Sequence, residues 1–125
     1  MRVLYVEDSE INRRVVGAML LAGQMEMAEA EDGQKGLEMI DAHDYDLVLM
    51  DLRMPVMDGI TAIRRLRARH DAKARLPVIV VTADSNPTVD ADCHAAGADQ
   101  VLPKPVSMVS LFGAINNLMA VRGET

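Results

Sequence analysis

The sequence alternates two apolar patterns, short unbroken runs and longer stretches with helical spacing. Leu47-Val48-Leu49-Met50 and Val78-Ile79-Val80-Val81-Thr82 are too short for ordinary helices and have no polar alternation, as expected of central parallel strands buried on both faces. Arg2 to Val6 reads as a third strand, Met25 to Ala30 as a weaker one and Gln100-Val101-Leu102 as the last. Between them lie helical patterns. The first runs from Ser9 or Glu10 to a stop at Gly23, with Ile11, Val15, Met19 and Leu20 as its apolar stripe and Asn12, Arg13 and Arg14 on its exposed side. The second starts at Asp32-Gly33, buries Leu37, Met39 or Ile40, and ends near His43. Asp58 caps a third, with Ile60, Ile63, Leu66 and the stem of Arg67 facing the sheet. Asp84 to Asp90 is poor helix material, so the fourth helix is expected to be short, about Thr88 to Ala96, closed by Gly97. Ser107 caps the fifth, which carries Val109, Leu111, Phe112, Ile115, Leu118 and Met119.

Strictly alternating strands and helices predict an α/β fold with a parallel sheet covered on both faces. Of the doubly wound orders, the flavodoxin-like 2-1-3-4-5 suits a five-stranded (βα)5 chain. Its reversal point lies between strands one and three, whose C-terminal ends carry Glu7, Asp8 and Asp51. Ligands of open α/β sheets bind at such a point.

Composition narrows the reading. With 125 residues, 50% of them apolar, the chain fits one domain over 1–125 with a single core. Tyr5, Tyr45 and Phe112 are the only aromatics, so aliphatic residues and ten methionines build that core. The lone Cys93 forms no internal disulfide, no apolar window approaches the ~20 residues of a membrane span, and no signal-peptide core develops near Met1. A soluble, cytoplasmic protein without a membrane partner is expected. A net charge of −6 argues against nucleic acid as a partner. The basic cluster Arg64, Arg65, Arg67, Arg69, Lys73 and Arg75 reads as a solvated helix face, and His43, His70 and His94 as surface residues.

Three carboxylates converging in one cleft repel by roughly 1 kcal/mol per pair unless a cation or proton intervenes. Hard oxygen donors suit Mg²⁺, which keeps several waters and is usually completed by phosphate oxygens. Lys104 after strand five and Thr82 at the end of strand four would flank an oxyanion bound at Asp51. No GxxxxGK[ST] loop, GxSxG elbow or CxxC competes. Asp51-Leu52-Arg53 also lacks the second acid that a phosphatase of the haloacid-dehalogenase type uses as its proton donor. This favours a simple phosphoryl acceptor over an enzyme acting on external substrates.

Five fragments in order, Val3-Leu4-Tyr5-Val6-Glu7-Asp8, Asp51 to Gly59, Val81-Thr82-Ala83, Ala96-Gly97-Ala98 and Lys104-Pro105, resemble the receiver domain of bacterial two-component response regulators. The resemblance covers about residues 2–121. It implies that Asp51 accepts a phosphoryl group from a histidine kinase or phosphotransfer protein. It also implies that Asp8, Asp51 and the Arg53 carbonyl bind Mg²⁺, that Glu7 acts mostly through water, and that Thr82 and Lys104 hold phosphoryl oxygens. The run Glu7 to Val15 is most similar to receivers attached to, or served by, hybrid histidine kinases. Two positions depart from the family: Val101 stands where a rotamer-switching aromatic is usual, and Val106 where an aromatic usually follows Lys-Pro. The alternative reading is an interaction module that keeps the pocket but signals regardless of phosphorylation.

Overall fold

The computed structural model describes residues 1–122. In chain order the elements are β1 (Arg2–Val6), α1 (Glu10–Ala22), β2 (Glu26–Ala30), α2 (Gly33–Ala42), β3 (Leu47–Met50), α3 (Gly59–Arg67), a 3₁₀ turn (Ala72–Arg75), β4 (Val78–Thr82), α4 (Pro87–Ala96), β5 (Gln100–Pro103) and α5 (Met108–Val121). All pairings are parallel and the sheet order is β2-β1-β3-β4-β5, the expected topology.

The pleat sorts the core into two layers. Leu4, Val6, Val48, Met50, Val78 and Val80 face Ile40, Ile63, Leu66 and Cys93 from α2, α3 and α4. Their neighbours Val3, Tyr5, Leu47, Leu49, Ile79 and Val81 face Val16 and Leu20 of α1 and Leu111, Ile115 and Leu118 of α5. Successive strand residues point to opposite faces, so an unbroken apolar run is what a doubly covered strand requires.

Side-chain caps start the helices. Ser9, Asp32, Asp58, Asn86 and Ser107 each accept a backbone N–H from the first turn, worth typically ~1 kcal/mol apiece. The fourth helix runs over the expected residues with one more at its start, Pro87, in the first turn where a missing N–H costs nothing and φ is already helical.

Three expectations about faces are corrected. Ile11 and Val15 are 74% and 49% exposed, while Val16 and Leu20 make the buried stripe of α1. Asn12 and Arg13, expected outside, turn toward the sheet end instead. Val109 of α5 is 86% exposed. The basic cluster is also not simply a solvated face. Arg67 donates to the carbonyls of Gly97, Ala74 and Leu76 and pairs with Asp99 at 3.2 Å, and Lys73 Nζ donates to Ile40 O at the end of α2. These cations tie the helix ends and the entry to β4 together at the N-terminal edge of the sheet. His43, His70 and His94 are exposed, as expected.

Candidate phosphoacceptor site

Register brings the acids together. Val6 of β1 pairs with Met50 of β3, so the residues that follow, Glu7 and Asp51, leave adjacent strands side by side. Asp51 N donates to Val6 O at 3.0 Å, extending the ladder by one rung into the site. Met50 is also in register with Val80, and Val80 with Val101, which sets Thr82 and the segment after β5 beside Asp51. Gly59 closes the loop after β3: a Cβ there would meet Asp51 O at 2.1 Å, so only glycine lets the α3 start approach this closely. In the same loop Val56 has φ +70, and Met57 N donates to Pro55 O at 2.7 Å across it, a tight and strained γ-turn. The Lys104-Pro105 bond is cis.

Glu7, Asp8 and Asp51 present carboxylate oxygens within 4.8 Å of one another. Glu7 and Asp51 are buried at 0% and 6% exposure, whereas Asp8 is open to solvent. Lys104 reaches over them, its Nζ 2.6 Å from Glu7 Oε1 and 3.3 Å from Asp51 Oδ1. Asp51 Oδ1 also accepts from Leu52 N at 2.9 Å. Thr82 is buried, and its Oγ1 accepts from Asp84 N at 3.1 Å. Arg53 Nε and Asp84 Oδ2 pair at 2.5 Å.

The electrostatics split the two buried acids. Burial raises the Asp51 carboxyl, the neighbouring Glu7 raises it further, and together they outweigh Lys104 and bring it to about 7. Burial acts on Glu7 in the same direction, but the neighbouring Asp51 carboxyl, Lys104 and Asn12 outweigh it and hold Glu7 well below the ordinary carboxylate range. Without a cation the pair therefore keeps a proton on Asp51 into the neutral range. Burial and the Glu7 charge push the Tyr5 phenol up, so it stays a donor to Glu7 Oε1 at 3.3 Å.

The set fits a hard divalent cation. Every ligand candidate is an oxygen, the charges are mutually repulsive, and Glu7 Oε2 is buried with no hydrogen-bond partner. The structure thus brings together Glu7, Asp8, Asp51, Thr82 and Lys104, with Arg53 at the rim. Two residues that the sequence places on the exposed edge of the first helix, bordering the acids, bond directly to them: Asn12 Nδ2 donates to Glu7 Oε1 at 3.0 Å, and the Arg13 guanidinium to Glu7 O at 2.7 Å. Their place three and four residues after the cap Ser9, over the end of β1, is the signal that could have found them.

Comparison with known proteins agrees with this geometry. A model of the response regulator receiver domain matches residues 3–116. The chain is 44% identical to the two-component response regulator ORR41 of Oryza sativa subsp. japonica, covering 88% of this chain and 87% of that one. It is 35% identical to the chemotaxis protein CheY of Bacillus subtilis, over 94% and 97% of the two chains. Hybrid signal transduction histidine kinase G of Dictyostelium discoideum is 36% identical over 93% of this chain, which spans only 3% of that much longer protein. Among solved structures, the receiver domain of sensor histidine kinase PA1611 from Pseudomonas aeruginosa PAO1, with a magnesium ion in its active-site cleft, superposes with a TM-score of 0.87 at 31% identity, covering 95% and 97%. The chain belongs to the response regulator receiver domain family of two-component signalling.

Proposed function

We propose that residues 1–125 form one receiver domain acting as a phosphorylation-dependent switch. Asp51 takes a phosphoryl group from a histidine kinase or histidine phosphotransfer protein, and the phosphorylated domain regulates a protein target. The observation that carries this reading is a nearly buried carboxylate at the end of the central strand, with an ammonium at 3.3 Å and two further acids beside it.

In the transfer, a carboxylate oxygen of Asp51 attacks phosphorus in line with the P–N bond of a phosphohistidine. The P–O bond forms as the P–N bond breaks, and the imidazole nitrogen keeps the electron pair and takes a proton from water. Asp51 must be ionised to attack, which its Glu7 neighbour opposes and Lys104 assists. Asp8, Asp51 and the Arg53 carbonyl would hold Mg²⁺, with Glu7 acting mostly through water; bound there, the ion supplies charge neutralisation for the acids and the phosphoryl oxygens. Lys104 exchanges Glu7 for a phosphoryl oxygen, and the Thr82 hydroxyl turns from the Asp84 amide to donate to another. Among the described residues no acid stands beside Asp51 in sequence to protonate a leaving group, which fits an acceptor that releases phosphate only slowly to water.

A second reading, binding regardless of phosphorylation, draws on Val101. It is half-buried against the core and has too little volume for an aromatic rotamer switch. Incubation with a radiolabelled phosphohistidine donor separates the two. Label that moves to the parent but not to Asp51→Asn supports the switch; no transfer to the parent from any histidine donor, with target binding intact, supports the interaction module.

A further inference from the structure

The first turn of α1 reaches back onto the end of β1 with two side chains. Arg13 donates through its terminal nitrogen to Glu7 O at 2.7 Å and through Nε to Glu29 Oε1 on β2 at 2.9 Å. Its side chain is only 14% exposed although Glu29 is 51% exposed, so the sheltered half of this double contact is the one to Glu7 O. Asn12 Nδ2 donates to Glu7 Oε1 at 3.0 Å, and since a carboxylate only accepts, the amide must present its nitrogen here. Tyr5 and Lys104 also donate to Oε1. Three donors thus converge on one oxygen, and Oε2 is left buried and unpartnered.

We infer that Asn12 and Arg13 are positioning residues for the acidic cluster. Arg13 pins the backbone carbonyl from which the chain turns to Asp8. Asn12 fixes the plane of the Glu7 carboxylate so that Oε1 faces protein donors and Oε2 stays open to a cation or to its water. The strongest Oε1 donor, Lys104, sits on a long flexible stem and is the one the phosphoryl group would draw away. Asn12 and Tyr5 are neutral, have few rotatable bonds and are mounted on a helix and a strand, so they keep Glu7 in place during that exchange. The exchange step rests on the phosphoacceptor reading; the cation step does not.

The test is Mg²⁺ binding to the full chain, followed by calorimetry and amide shifts, for the parent, Asn12→Ala and Asn12→Gln. Removing a group that orients a ligand typically weakens metal affinity about tenfold or more, and that loss is expected for Asn12→Ala, with partial recovery in Asn12→Gln. Alanine is the better helix former, so the thermal midpoint in chelator should hold. Unchanged Mg²⁺ affinity in Asn12→Ala, or a loss that merely follows a lowered midpoint in both variants, would overturn the inference. A parent that binds Mg²⁺ but takes no phosphoryl group would overturn the phosphoacceptor reading and leave the cation step standing.

Discussion

Lys104 lies closer to Glu7 than to Asp51: its Nζ is 2.6 Å from Glu7 Oε1, and the two side chains are 19% and 1% exposed. Glu7 is therefore a buried charge neutralised by one ammonium. Removing one partner of such a pair costs about 3–5 kcal/mol, because the other is left charged in a dry site. Lys104→Met should lose on the order of 3 kcal/mol in urea unfolding without Mg²⁺. Adding Glu7→Gln to the same chain should recover most of it. Equal stability of parent and Lys104→Met would mean that the pair is not what holds Glu7.

Asp51 gives the opposite sign. Its carboxyl is raised from 3.8 to about 7 in the folded protein. Between those values the native state binds more protons than the unfolded chain, so the Asp51 contribution is full below about 3.8, falls steadily as pH rises from there, and is gone above about 7. Asn cannot ionise and keeps the oxygen that accepts from Leu52 N. Metal-free Asp51→Asn should therefore gain on the parent as pH rises from 5 to 7 and exceed it at pH 8 by several degrees in thermal midpoint. Glu7 acts in the other direction, holding stability at higher pH that is lost as pH falls from the ordinary carboxylate range, so the comparison belongs above pH 5. A gap that narrows with rising pH would contradict the assignment.

Arg53 and Asp84 pair at 2.5 Å across the rim, with side chains 83% and 38% exposed. So open a pair contributes little to stability. Its expected effect is kinetic, shielding the phosphoryl group from water. The double alanine variant should keep the parent's midpoint and lose its phosphoryl group several-fold faster, measured as the half-life of the phosphorylated form. A half-life no shorter than the parent's would show that the pair does not shield.

The sheet, its order and the acidic cluster were legible because they follow from strand runs ending in carboxylates: Val6 before Glu7-Asp8, and Met50 before Asp51. The phase of α1 was not. Ile11, Val15 and Met19 make as good a stripe as Asn12, Val16 and Leu20, and only the sheet's geometry decides between them. The first turn overhangs the end of β1, where Glu7 demands donors, so Asn12 and Arg13 face inward and Ile11 and Val15 face water. Arg67 was hidden for a similar reason: its partners are backbone carbonyls at Ala74, Leu76 and Gly97, which no side-chain pattern records.

Val101 bears on how the signal leaves the site. Thr82 Oγ1 accepts from Asp84 N, so moving the hydroxyl toward a phosphoryl group releases the turn that precedes the Asn86 cap of α4. Asn86 caps the first turn of α4 and Pro87 lies within it, so the turn over residues 83–86 joins Thr82 directly to that helix. Beryllofluoride with Mg²⁺ should shift backbone amides and speed or slow hydrogen exchange chiefly over residues 83–96. A response centred on Val101 and α5 with α4 unmoved would defeat this route.

The most direct test of the central claim is where a phosphoryl group lands. The parent, incubated with a small acyl-phosphate donor and Mg²⁺, should gain the mass of one HPO₃ group, lost on hydroxylamine treatment and mapped to the peptide containing Asp51. Chelating the Mg²⁺ or substituting Asp51→Asn should abolish the gain. Full labelling of Asp51→Asn, or a hydroxylamine-stable adduct on another peptide, would contradict the account.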